Sequence, residues 1–94
     1  MLSKTPVILE KISGQALDKE ILRIAIVAEL DAINLYEQLA AQTPDADIRA
    51  VLMDVAKEEK THAGEFQALL LNADPEQASE LEHGRKEVKE LTGK

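Results

Sequence analysis

Two long stretches of this chain repeat apolar residues every three or four positions, and a Thr-Pro-Asp break divides them. In the first, Leu22, Ile26, Glu29, Ile33, Tyr36 and Ala40 recur at spacings of 4, 3, 4, 3 and 4. In the second, Ile48, Leu52, Val55, Glu59, His62, Phe66 and Leu69 recur at 4, 3, 4, 3, 4 and 3. This period lines up one face of a helix and excludes the alternation of a strand. Ala, Leu, Glu and Lys dominate the chain, and only Tyr36 and Phe66 are aromatic. These residue types favour helix. The expected fold class is all-α, an antiparallel helical hairpin plus a short C-terminal helix.

The first helix is expected from about Leu17 to Gln42 and the second from about Pro44 to Leu71. Each has roughly 26 residues, or roughly 39 Å. Thr43 is a plausible N-cap with Pro44 at the first helical position. Asp74, Pro75 and Gln77 mark a further start resembling a capping box, for a third helix weakened at Gly84 and ended by Gly93. Residues 1–15, with a Pro and a Gly and no sustained helical period, read as an extended arm in which Val7, Ile8, Leu9 and Ile12 pack on a neighbour. Residues 16–94 form the helical domain.

A chain of 94 residues has a thin core of its own, and oligomerisation is a common remedy. A hairpin leaves a wide apolar face uncovered on each helix. Two copies would complete a four-helix bundle, so a homodimer is the simplest expectation. The net charge of −7, from 18 acidic and 11 basic residues, argues against nucleic acid and anionic membrane surfaces as partners. No run reaches the ~20 apolar residues of a membrane span. No signal peptide is visible, which makes a cytoplasmic location the expectation. The absence of cysteine excludes disulfides, iron–sulfur clusters and Cys-based zinc sites.

Glu29, Glu59 and His62 interrupt this apolar face. Glu29 lies 15 residues before Pro44 and Glu59 lies 15 after it, so folding about Pro44 brings the two carboxylates to one level. In Glu-x-x-His the two side chains share a helical face. A buried carboxylate without a partner is very costly. A dimer would gather four carboxylates and two imidazoles, which cannot all ionise without a compensating cation. A pair of metal ions would supply it. The ferritin-like di-iron bundle uses this ligand set, a Glu from each of two helices and Glu-x-x-His from each of the other two. One chain holds half of it.

The bland alternative is a buried Glu–His hydrogen bond that sets dimer register. A lone Glu-x-x-His is a weak signal. What favours metal is that all three residues replace apolar ones and that Glu29 is level with Glu59. Tyr36, two turns after Glu29, leans back toward the cluster. A hydrogen bond to a ligating Glu and an ordinary core tyrosine both fit its spacing. Glu58 reads as solvated, and Asp31 and Glu65 as flanking acids that escort cations or form exposed salt bridges. His83 reads as a surface or turn residue. Met53 at helical spacing reads as core rather than a haem ligand. Manganese or zinc would also suit the three ligands.

The stretch "AELDAINLYEQLA…VAKEEKTHAGEFQALLLNADPEQ" resembles the encapsulated ferritins, over roughly residues 17–93. It looks closest to the ferritin-like domain joined to an encapsulin shell protein in some archaea. Glu29, Tyr36, Glu59 and His62 all fall in place. The resemblance implies a ferroxidase that oxidises Fe(II) at a di-iron site between two subunits. Glu29, Glu59 and His62 would be the ligands, with Tyr36 beside them. It also implies subunit pairs assembled into a ring, commonly of ten chains. Iron would then be mineralised inside an encapsulin nanocompartment. Many relatives carry a Glu where Ala28 stands and a Trp where Leu35 stands, while Asp31 matches their other metal-entry acid. The tail "KEVKELTGK" has no recognisable shell-targeting peptide, and free-standing and fused forms both stay open; in a fused protein this chain would be the first domain. Two competing functions are a rubrerythrin-like di-iron peroxidase, which without cysteine needs a separate reductase, and a helical assembly domain with no chemistry.

Overall fold

In the computed structural model the described residues are 14–94, and they form three helices: α1 (Gly14–Gln42), α2 (Ala46–Ala73) and α3 (Pro75–Thr92). The expected packing of Val7, Ile8, Leu9 and Ile12 lies outside the described residues. Gly14 opens α1 at φ +65°, a backbone angle that glycine adopts without a Cβ clash. The helix therefore starts three residues before the expected Leu17.

Three residues connect α1 to α2, and the cap differs from the Thr43–Pro44 expectation. Asp45 is the N-cap, with extended backbone at φ −84°, ψ 122°. Its Oδ1 accepts the N–H groups of Asp47 and Ile48, both at 2.9 Å, two donors left free by the first turn. The Thr43 hydroxyl instead accepts the Asp45 N–H at 3.2 Å. Pro44 lies in the connection rather than in α2, because the Asp45 carboxylate captures the first free N–H groups one residue later. Arg49 closes this end from the other side. It donates from Nη2 to the Thr43 carbonyl at 2.8 Å and from Nε to the Ala40 carbonyl at 3.4 Å.

Asp74 alone separates α2 from α3. Its N–H bonds back to the Leu70 carbonyl at 2.8 Å, and its Oδ1 accepts the Gln77 N–H at 3.1 Å. Pro75 takes the first helical position and Gly93, at φ +77°, ends the helix. The expected weakening at Gly84 does not occur: α3 runs through it and places His83 in mid-helix. One glycine costs a helix only about 1 kcal/mol relative to Ala.

α1 and α2 pack along their length, whereas α3 touches α2 only sparsely. The buried apolar residues are Ile33, Ala40, Ala56 and Leu70. On α2 this corrects the expected face. Leu52, Glu59, Ala63 and Phe66 are partly covered and Ala56 and Leu70 are buried, while Ile48 and Leu69 are more than half exposed. The covered positions 52, 56, 59, 63, 66 and 70 again run at 4, 3, 4, 3 and 4, so the period holds and only the phase differs. Positions 52, 59 and 66 are common to both faces, and the side turned to α1 is the flank carrying Ala56, Ala63 and Leu70 rather than the one ending in Leu69. The chain's accessible surface is 7181 Å² for 10.3 kDa. A compact chain of that mass would expose about 5,400 Å². Ile21, Val27, Leu30, Leu39, Val51 and Met53 all contribute to the surplus.

Candidate metal centre

The hairpin brings Glu29 on α1 against Glu59 and His62 on α2. One ligand atom from each residue lies within 4.8 Å of the other two. His62 Nδ1 stands 3.5 Å from Glu59 Oε2 and 3.8 Å from Glu29 Oε2. Both separations exceed the ordinary hydrogen-bond range. Within the chain, neither carboxylate hydrogen-bonds the imidazole. Glu29 Oε2 is buried and has no hydrogen-bond partner. The two carboxylates are largely covered, at 19% and 18% side-chain exposure, while the imidazole is 46% exposed. The site is thus walled on the hairpin side and open on the side His62 faces.

These donors fit a metal ion. Carboxylate oxygens are hard anionic ligands, and imidazole suits iron, manganese and zinc alike. Three donors from one chain do not complete a coordination sphere, and the open side of the cluster is where more would enter. A buried acceptor with no donor is an unsatisfied group that costs about 1–3 kcal/mol. A cation at this point would satisfy it.

The other candidates are distributed differently. Tyr36 is partly buried on α1, and among the described residues its hydroxyl makes no hydrogen bond to Glu29, Glu59 or His62. Asp31 is partly covered and lines a shallow hollow with Val27, Leu30 and Asn34. Glu58 and Glu65 are exposed. Met53 is 44% exposed rather than core. His83 is exposed on α3 between Glu80 and Glu87, at 3.4 and 3.2 Å.

A second charged group went unread in the sequence. Arg23 Nη2 donates to Asp74 Oδ2 at 2.9 Å, across 51 residues of chain. Spacing carries no signal for such a contact. Asp74 is buried at 8% exposure. The Gln77 N–H holds its carboxyl below the ordinary value, helped by the charges of Lys19 and Arg23 and opposed by burial. On α3, Arg85 grips Glu82 at 2.6 and 3.0 Å and lowers that carboxyl as well.

The family model described as Rubrerythrin matches residues 20–92. The chain is 57% identical over 95 residues to a ferritin-like-encapsulin shell fusion protein of Pyrococcus furiosus, covering 99% of this chain and 28% of that protein. It is 39% identical over 71 residues to the encapsulin nanocompartment cargo protein EncC of Myxococcus xanthus, covering 76% of this chain and 55% of that one. It thus spans little more than half of the one relative and under a third of the other. Among solved structures, an encapsulated ferritin domain from Pyrococcus furiosus superposes with a TM-score of 0.86 at 56% identity, covering 100% of this chain and 98% of that one. No described helix is long and apolar enough to cross a membrane.

Proposed function

The chain belongs to the Rubrerythrin family and, within it, to the encapsulated ferritins, and on that footing we propose that it is a ferroxidase, oxidising Fe(II) to Fe(III) at a di-iron site shared between two subunits. The observation that carries this reading is the buried, unpartnered Glu29 oxygen converging with Glu59 and His62. A twofold mate would present the same three residues to the open side of the cluster. The hairpin and its mate together would make the four-helix bundle, and the exposed apolar surplus would be its interface.

Fe(II) is the substrate. Glu29 and Glu59 bind it and hold the trivalent product more strongly than the divalent ion, because their charge is anionic and hard. His62 supplies a neutral donor on the exposed flank. Glu59 lies between the other two in sequence along the face and is the bridging carboxylate of the proposal. Two Fe(II) ions held there would give up one electron each, and with two protons from solvent these would reduce dioxygen to hydrogen peroxide, or hydrogen peroxide to two waters. Tyr36 is proposed to hydrogen-bond a ligating carboxylate once the mate is seated. The fusion and cargo relatives support a location inside an encapsulin shell, and a ring of such pairs, with ten chains as the expected number, is part of the same proposal.

Fe(II) oxidation followed by absorbance tests it. Glu59→Ala should abolish the activity while circular dichroism stays helical. An unchanged rate would remove Glu59 from the site. Running the assay with dioxygen and with peroxide in turn separates the ferroxidase reading from a peroxidase, which the Rubrerythrin match keeps in view.

A further inference from the structure

Met53 on α2 is the one methionine among the described residues, and it is 44% exposed. Its helical spacing reads as core, where a flexible thioether fills irregular gaps. At an exposed position that use is lost. Leu and Met serve a helix about equally well, so what separates Met53 from a leucine is the sulfur. The 94 residues hold no cysteine and no tryptophan, with one tyrosine and two methionines. Easily oxidised side chains are therefore few. Among the described residues Met53 is the exposed one of these, while Tyr36 is partly buried on α1.

Oxidation of Fe(II) by dioxygen, in the reading above, yields hydrogen peroxide, and a thioether reacts with peroxide directly. The sulfur gives an electron pair to one peroxide oxygen, the O–O bond breaks, an S–O bond forms and water leaves. Sulfur loses two electrons and peroxide gains them, giving methionine sulfoxide. Where the product lies decides what it costs. A sulfoxide in a core is a polar group among apolar ones and disrupts packing. At 44% exposure the new oxygen is within reach of water. Met53 stands six residues before Glu59, roughly 9 Å along the helix axis. Ala56, rather than Met53, is the buried contact of that stretch. A sulfoxide at Met53 therefore leaves the two carboxylates where they are.

We propose that Met53 is a sacrificial oxidation site: it takes up hydrogen peroxide that leaves the metal centre, becomes methionine sulfoxide, and so spares Tyr36 and His62. The inference rests on the ferroxidase reading with dioxygen as the oxidant and adds where its second product goes. Methionine sulfoxide is returned to the thioether by sulfoxide reductases. The class of reaction that must follow is thus a two-electron reduction of the sulfoxide, after which the same residue can act again.

Peptide mass mapping of the whole chain after successive additions of Fe(II) under isotopically heavy dioxygen tests this. The tryptic peptide from Ala50 to Lys57 carries Met53. It should gain one heavy oxygen during turnover, ahead of any change at Tyr36 or His62, and added catalase should suppress the gain. Glu59→Ala under the same conditions should gain none. Met53→Leu should keep the initial rate of iron oxidation, lose it over fewer additions of Fe(II) than the wild type, and take up oxygen at Tyr36 or His62 instead. An unmodified Met53 in a chain that oxidises iron would overturn the proposal. So would a gain that catalase leaves unchanged, equal modification in Glu59→Ala, or equal endurance in Met53→Leu. A chain that oxidises no Fe(II) fails the ferroxidase reading too and shows it in absorbance, whereas oxidised iron beside an untouched Met53 fails this proposal alone.

Discussion

The hairpin and α3 differ in residue make-up and are held by opposite means. Between α1 and α2, alanines and larger aliphatic residues pack along the helix length and polar groups are the exception. α3 is polar almost throughout, and its tie to the hairpin is concentrated in Asp74 and Arg23. The lesson is that one short chain uses distributed apolar packing where a site must be kept in register. It uses a single charged joint where a helix must be pointed.

Several substitutions would break or sharpen that contrast. The largest effect should come from Leu70→Ala, at 5% exposure, which should cost about 2–5 kcal/mol in denaturant unfolding. Val88→Ala on α3 should stay within about 0.5 kcal/mol. Equal losses would erase the distinction. Next comes Glu29→Leu, which removes the unpartnered oxygen. It should stabilise the iron-free protein by about 1 kcal/mol while ending Fe(II) oxidation. Destabilisation instead would mean that Glu29 is satisfied in solution.

Arg23→Ala tests the joint. It should speed amide exchange in the first turns of α3 and leave the centre of α1 protected. The pH dependence follows the same contact. Asp74 has a depressed folded value, so its contribution is complete above the unfolded value of an ordinary aspartate and disappears as pH falls through the folded one. Loosening of α3 on that acid limb, ahead of the hairpin, is the expected exchange pattern. A joint that loosened near neutral pH would point to another group. The smallest effect belongs to Lys60→Ala. Its ion pair with Glu37 at 3.3 Å is about half exposed, and loss should stay within about 0.5 kcal/mol.

Much of this architecture was readable from spacing. The 4-3 repeat identifies two helices, and equal distances from Pro44 place Glu29 and Glu59 at one level. Asp74, Pro75, Gln77 and Gly93 announce the limits of α3. What spacing could not supply is fine rotation. Leu69 and Ile48 lie on the expected face but turn outward, while Ala56, Ala63 and Leu70 turn in, because one 4-3 period fits two adjacent faces of the helix and does not say which flank meets α1. The cap fell on Asp45 rather than Thr43 because the Asp45 carboxylate accepts two first-turn N–H groups, while the Thr43 hydroxyl is spent on the Asp45 N–H. Arg23 was invisible because its partner is distant in the chain. The buried, unpartnered state of the Glu29 oxygen also emerges only from three-dimensional packing.

Ala56 is the most deeply buried residue of the hairpin, at 1% exposure, and it stands one turn from Glu59 on α2. A methyl group is thus the spacer that sets the gauge between the two helices at the carboxylates. Any bulkier residue there would act as a wedge. It would push α1 and α2 apart and widen the gap between Glu29 and Glu59, changing the distance across the cluster without replacing either carboxylate.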